Sequence, residues 1–210
     1  MRALALLLMC STAYAGNEVS IGASNRALRS SSADALTGDS LISGQLGVAR
    51  ELHFAIRDVA IWATGAMWWG RAKGTLFNDL STDLEQGAGL IGGRARYVVV
   101  RHLAATAHVQ VGVAHTSLAL TDSMNRELSD ARWGGIAEGA IGLDLFAVDQ
   151  KRLTLGARLE LGYVAATAVT LTGKASHPDD GTLRLPMTQA SLGQLDLSGP
   201  YAGIAVVSQF

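Results

Sequence analysis

Charge is scarce in this chain: Asp, Glu, Lys and Arg make up only 17% of its 210 residues. Mean hydropathy is positive, so the groups that normally cover a soluble protein are in short supply. Proline is rare, with three residues, and the single cysteine is Cys10, which leaves no disulfide for a mature domain to form. No run of 18 apolar residues occurs, which excludes a spanning helix of ordinary length. The chain has 17 basic and 18 acidic residues, and this balance offers nucleic acid no basic patch. With four Trp, four Tyr and four Phe, any aromatic girdle is sparse.

The N-terminus reads as a secretory signal over residues 1–15. Arg2 supplies a positive start, Ala3 to Met9 an apolar run, and Ala13 and Ala15 the small residues before a cleavage site. Cys10 falls inside it, and Met9 is too large for the position before a lipidated cysteine. The mature domain is then residues 16–210, with 16 basic against 18 acidic residues and a net charge of −2.

What the chain has in abundance is two-residue alternation. In VAIWATGAMWW, Val59, Ile61, Ala63, Gly65, Met67 and Trp69 share one face, and Asp58, Ala60, Trp62, Thr64, Ala66 and Trp68 the other. LAATAHVQVGVAH and RLTLGARLELGY alternate in the same way. Eight such segments follow one another, near 17–29, 40–50, 57–71, 87–101, 103–118, 133–147, 151–169 and 196–210. Long polar connections near 30–39, 72–86, 119–132 and 170–195 alternate with short ones near 51–56, 101–103 and 148–151. That rhythm predicts up-and-down antiparallel order with long loops at one end and tight turns at the other. Pro178 and Pro186 fall in the longest loop and Pro200 at the start of the last strand, where a missing N–H is tolerated.

Alternation alone leaves open which face is outside. The apolar faces of strands two to seven carry no Asp, Glu, Lys or Arg, and a midplane Lys or Arg on a lipid face costs about 2–4 kcal/mol. The other faces are rich in Gly, Ala, Ser and Thr with occasional charges, which suits a narrow lumen. The expectation is an all-β, eight-stranded antiparallel up-and-down transmembrane barrel with a polar, side-chain-filled lumen, since closure pairs every strand N–H and C=O where no water can. The alternative, a secreted soluble barrel that binds a small ligand, would put the apolar face inward.

On this pattern, together with a last strand YAGIAVVSQF that ends on Phe210, the chain resembles the small eight-stranded outer-membrane barrels, such as the transmembrane domain of outer membrane protein A and outer membrane protein X. The resemblance implies a bacterial outer-membrane location, contact with outer-membrane lipid and lipopolysaccharide, a monomer, and recognition of the terminal Phe210 by the barrel assembly machinery. It also implies a structural or surface-binding role, through four extracellular loops, toward an extracellular ligand that the sequence does not identify.

The lumen is expected to hold Asp58, Arg94, Arg96, His108, Gln110, Glu138, Asp144, Arg158 and Glu160. Eight strands leave room for side chains and not for a water channel, so these charges read as a salt-bridged plug that specifies register. Trp62, Trp68, Trp69, Trp133, Tyr97, Tyr163 and Tyr201 are candidates for interfacial belts. GAGLIG (Gly87, Gly89, Gly92) matches a dinucleotide-binding glycine pattern, but GRARYVVV after it continues as a strand where a helix is required. No cofactor or metal site is expected, and SHPDDGT (His177, Asp179, Asp180) reads as a surface turn. One enzymatic alternative stands: His115 and Ser117 share a strand face at the long-loop rim, which is similar to the His-x-Ser pair of outer-membrane lipid A deacylases, with Glu127 or Asp130 as the acid of a triad. Leu-Ala-Leu follows Ser117 where polar and glycine residues follow in that family, and the preferred reading assigns no catalytic residue.

Overall fold

Ten strands make up the fold in a computed structural model, which describes residues 16–28, 39–56, 58–76, 80–122, 127–150, 153–175 and 189–210. The signal segment, the SHPDDGT turn, Pro178 and Pro186 lie outside the described residues. The strands are β1 (Asn17–Ala27), β2 (Ser40–Ile56), β3 (Val59–Leu76), β4 (Leu80–Val100), β5 (Leu103–Asp122), β6 (Glu127–Gln150), β7 (Leu153–Ala166), β8 (Val169–Ala175), β9 (Gln189–Leu195) and β10 (Gly199–Gln209). Eight of them, β1 to β7 and β10, close an antiparallel barrel, each paired with its sequence neighbour and β10 with both β7 and β1. Closure places Glu18 opposite Gln209, and Asn17 and Phe210 exchange backbone hydrogen bonds of 2.8 and 2.9 Å. No barrel strand is left with a free edge along the wall, which is the only way a sheet satisfies its backbone in hydrocarbon.

The tight turns lie at one end, as the rhythm of the sequence requires, with Arg101 and His102 alone joining β4 to β5. The other end differs from expectation. Segments 72–86 and 119–132, read as long loops, continue as strand ladders: β3 pairs with β4 up to Leu76 and Leu80, and β5 with β6 up to Thr121 and Glu127. Alternation persists there with the solvent-side positions turned polar, so composition suggested loop where hydrogen bonding extends the wall. Within 170–195, β8 and β9 form an extra hairpin, and β8 pairs with the tip of β6. A bulge opposite Leu171 is built on Gly193 at φ 83°, a conformation that favours glycine.

Side chains divide by phase. Ile21, Ile42, Met67, Ile91, Val111, Ile141, Leu161 and Ile204 stand on the exterior, all more than half exposed. Along β5 the exterior row from Leu103 to Val113 spans ten residue steps, about 34 Å of strand, or about 26 Å of height at a tilt of about 40°. The exterior carries no Asp, Glu, Lys or Arg from Tyr97 to Gly87 on β4, from Leu103 to Val113 on β5 and from Leu145 to Trp133 on β6. Charge returns just above, at Arg71 and Glu85, and below at Arg50, all exposed.

Candidate functional site: the barrel lumen

Phase sends the even-numbered residues of β1 and β3 to β7, and the odd-numbered ones of β2 and β10, into the barrel. Toward the tight-turn end they meet in an ion-pair knot centred on Glu18, a β1 residue that sequence reasoning left out. Both Glu18 oxygens accept from Arg94 of β4, at 2.6 and 2.7 Å, and from Arg158 of β7, at 2.9 and 3.2 Å. Gln209 donates to Glu18 at 2.9 Å. Arg158 also donates to both oxygens of Asp144 on β6, at 2.6 and 2.9 Å. Arg96 reaches the Gln209 amide oxygen at 3.0 Å and lies 4.0 Å from Asp144. These bonds tie strands across the lumen, not merely neighbours, which is why the register of the whole barrel is locked by them.

Halfway up, His108 of β5 lies between Glu138 of β6 and Glu160 of β7, at 3.2 and 3.6 Å. Gln110 donates to Thr64 at 2.9 Å, and the Tyr201 hydroxyl donates to Glu138 at 2.5 Å. Higher again, Arg26 of β1 donates to the Gln86 side chain at 3.1 Å and to the Leu197 carbonyl at 3.2 Å, and Gln86 donates to Thr116 at 2.9 Å. A cavity of about 50 Å³ lies against Glu18, Thr64, His108, Gln110, Glu138 and Glu160, room for a few waters. Above Arg26 the interior turns apolar: Leu28, Leu41, Leu84, Leu118, Leu171, Leu195 and Leu197 are all buried. The β8–β9 hairpin contributes Leu171 and Leu195, and so caps the mouth.

Of the expected lumen residues, Arg94, Arg96, His108, Gln110, Glu138, Asp144, Arg158 and Glu160 meet in this space. Asp58 does not. It sits exposed in the turn before β3, where the strand has not begun and phase has no meaning. With Glu18 and Arg26 added, four arginines face four carboxylates, which offsets most of the charge that low-dielectric surroundings penalise. The signal for the missed pair is the alternation Glu18, Ser20, Gly22, Ser24, Arg26 against Val19, Ile21, Ala23.

Three belt candidates are also misplaced. Trp62, Trp68 and Tyr201 are only 2, 5 and 6% exposed, inside the barrel. Arg94 packs over the Trp62 ring at 5.2 Å, Arg26 over Trp68 at 4.5 Å and Arg96 over Phe146 at 4.6 Å. An aromatic face shields the arginine carbons while attracting the cation. Trp69, Trp133, Tyr97 and Tyr163 are exterior, 47 to 71% exposed. Trp69, Gly87, His115 and Trp133 fall on one row across β3 to β6, at the upper limit of the uncharged band.

No family model matches the chain, and no curated protein matches it by sequence. Among solved structures it is similar to the attachment invasion locus protein Ail of Yersinia pestis, with 10% identity, 94% of this chain and 100% of that one covered, and a TM-score of 0.49. It is similar to the outer membrane protease OmpT of Escherichia coli at 7% identity, 93% and 95% coverage and a TM-score of 0.49. For the N-terminal β-barrel domain of Pseudomonas aeruginosa OprF the figures are 16%, 94%, 100% and 0.35.

The candidate triad is not assembled. His115 packs on Trp133, ring centroids 4.9 Å apart. Asp130 is on the inward phase of β6, opposite to the face of His115 and Ser117, and its oxygens accept from Thr172 N at 2.8 Å, Ala131 N at 2.9 Å and Arg132 Nε at 3.1 Å. Glu127 pairs with Thr121, six residues beyond His115 along β5, about 20 Å away. Asp130 does not orient the imidazole. GAGLIG lies wholly within β4; a Cβ on Gly92 would come within 2.0 Å of the Val109 carbonyl oxygen, so glycine there permits close approach of β5.

Proposed function

We propose that the protein is an integral barrel of the bacterial outer membrane, akin to the small eight-stranded family, with a structural or surface-binding role borne by the region above the membrane. The observation that carries this is the exterior: an uncharged band of exposed Val, Ile, Leu and Met, about 26 Å tall, bounded by Trp69 and Trp133 above and Tyr97 below. A monomer in water rarely exposes contiguous apolar patches beyond a few hundred Å², whereas hydrocarbon requires one. The interior supports the same reading, since among the described residues knot and cap fill the lumen with side chains. Above the band, the ladders of β3 to β6 and the β8–β9 hairpin form the platform that would meet lipopolysaccharide or an extracellular partner.

Membrane fractionation with heat-modifiable gel migration tests the proposal. The expected result is protein in the outer-membrane fraction that migrates faster unheated than boiled; recovery in soluble periplasm would end the reading. Deleting Phe210 is expected to lower the yield of inserted barrel, because the residue pairs with Asn17 at the closing seam and presents its ring to the exterior, 41% exposed.

A further inference from the structure

The His108 site in mid-lumen contains more acceptors than a neutral ring can serve. Nε2 lies 3.2 Å from Glu138 Oε1 and Nδ1 lies 3.6 Å from Glu160 Oε1. A neutral imidazole has one N–H, so with both carboxylates ionised one ring lone pair faces a carboxylate lone pair. The surrounding charges are engaged elsewhere. Arg94, directly across from His108 on β4, gives both terminal nitrogens to Glu18. Arg158 comes within 3.8 Å of Glu160 but donates to Glu18 and Asp144. Arg96 is held by Gln209 and Arg26 by Gln86 and Leu197. Tyr201 already donates to Glu138, and Gln110, on the same face of β5, donates to Thr64.

We propose that His108, Glu138 and Glu160 form a proton-binding site inside the barrel, which at neutral pH holds one proton shared between the imidazole and the carboxylates. With that proton in place each short contact has a donor facing an acceptor. Removing it leaves two carboxylates against one ring, with Arg158, 3.8 Å from Glu160, the nearest arginine among the described residues. The adjoining cavity, lined by His108, Gln110, Glu138 and Glu160, gives waters through which the proton exchanges. The fold then carries a proton that the unfolded chain releases in mild base, and by linkage the barrel weakens as pH rises.

Two measurements on the folded barrel in micelles or bilayers decide it. Nitrogen NMR of His108 with infrared spectroscopy of the carboxyl groups at neutral pH should show either an imidazolium or one protonated carboxyl; a neutral ring with both carboxylates ionised overturns the proposal. Unfolding equilibria from about pH 7.5 to 9 should shift by about tenfold per pH unit in the wild type, one proton's worth. The slope should disappear in Glu160→Gln, whose amide replaces the ionisable group while keeping its size. A slope that Glu160→Gln leaves unchanged also overturns it.

Discussion

The two halves of the lumen solve the same packing problem with opposite chemistry. Toward the tight turns, strands are held by Glu18, Arg94, Arg158 and Asp144, all buried and all ionic. Toward the mouth they are held by Leu41, Leu84, Leu118 and Leu171, buried and apolar. The difference follows from what each half must do. With the exterior of the lower half facing lipid, as proposed, hydrophobic burial offers little preference between inside and outside, and directional bonds are what distinguish one register from its neighbours. In the upper ladders the outside is wet, burial of leucine inside is again favourable, and an ordinary apolar core suffices. The comparison predicts that the lower half is brittle to loss of one group and the upper half tolerant in proportion to volume.

The largest effect is expected from Glu18→Ala. It leaves buried Arg94 without its carboxylate and takes one of two carboxylates from Arg158, and breaking a buried pair costs about 3–5 kcal/mol. Chemical unfolding in bilayers measures it. Leu118→Ala in the upper half should cost about 2–4 kcal/mol, set by the cavity it leaves. A larger loss from Leu118→Ala than from Glu18→Ala would mean that the charged half is not the element that locks the barrel.

The same division of environments is testable from outside. Val109→Arg, near the middle of the exterior band and 66% exposed, should cost about 2–4 kcal/mol in a bilayer, whereas Ala131→Arg, two residues before Trp133 and above the band, should cost about 0–1 kcal/mol. Equal effects would remove the assigned membrane boundary.

How far these halves could be read in advance depends on what sets each feature. Phase along a strand is local, so the inward set on β4 to β7 was legible from alternation, and the same rule, applied to β1, would have yielded Glu18 and Arg26. It also contradicts a belt role for Trp62 and Trp68, which share a face with Thr64; composition prevailed over phase in that reading. Which charges meet is not local. Arg94 is 76 residues from Glu18 and Arg158 is 140, and their convergence depends on the stagger at which the sheet closes. The height of the wall is likewise tertiary: Ser81, Asp83, Glu85 and Thr121 look like loop residues until their strands are paired. The β8–β9 hairpin had its signal in Val169, Thr170, Leu171 and Thr172, but a two-turn alternation within a polar stretch does not reveal that it folds back over the mouth.

The smallest expected effect concerns how that cap is fastened. Asp130, outside the membrane band, has its carboxyl held below the usual aspartate range, first by the Thr172 backbone N–H and then by Ala131 N and Arg132. A carboxyl depressed in the fold contributes stability that is present above its unfolded value of 3.8 and lost as pH falls through the lower folded one. Acidification below about pH 4 should therefore release the Thr172 amide to solvent exchange before the barrel amides, such as those of Val109 and Ile141, lose protection. Asp130→Asn should give the same early exchange at neutral pH without moving the global unfolding midpoint. If Thr172 instead exchanges together with the barrel in both experiments, the cap and the ionic half unfold as one unit, and the upper lumen owes its order to the knot beneath it.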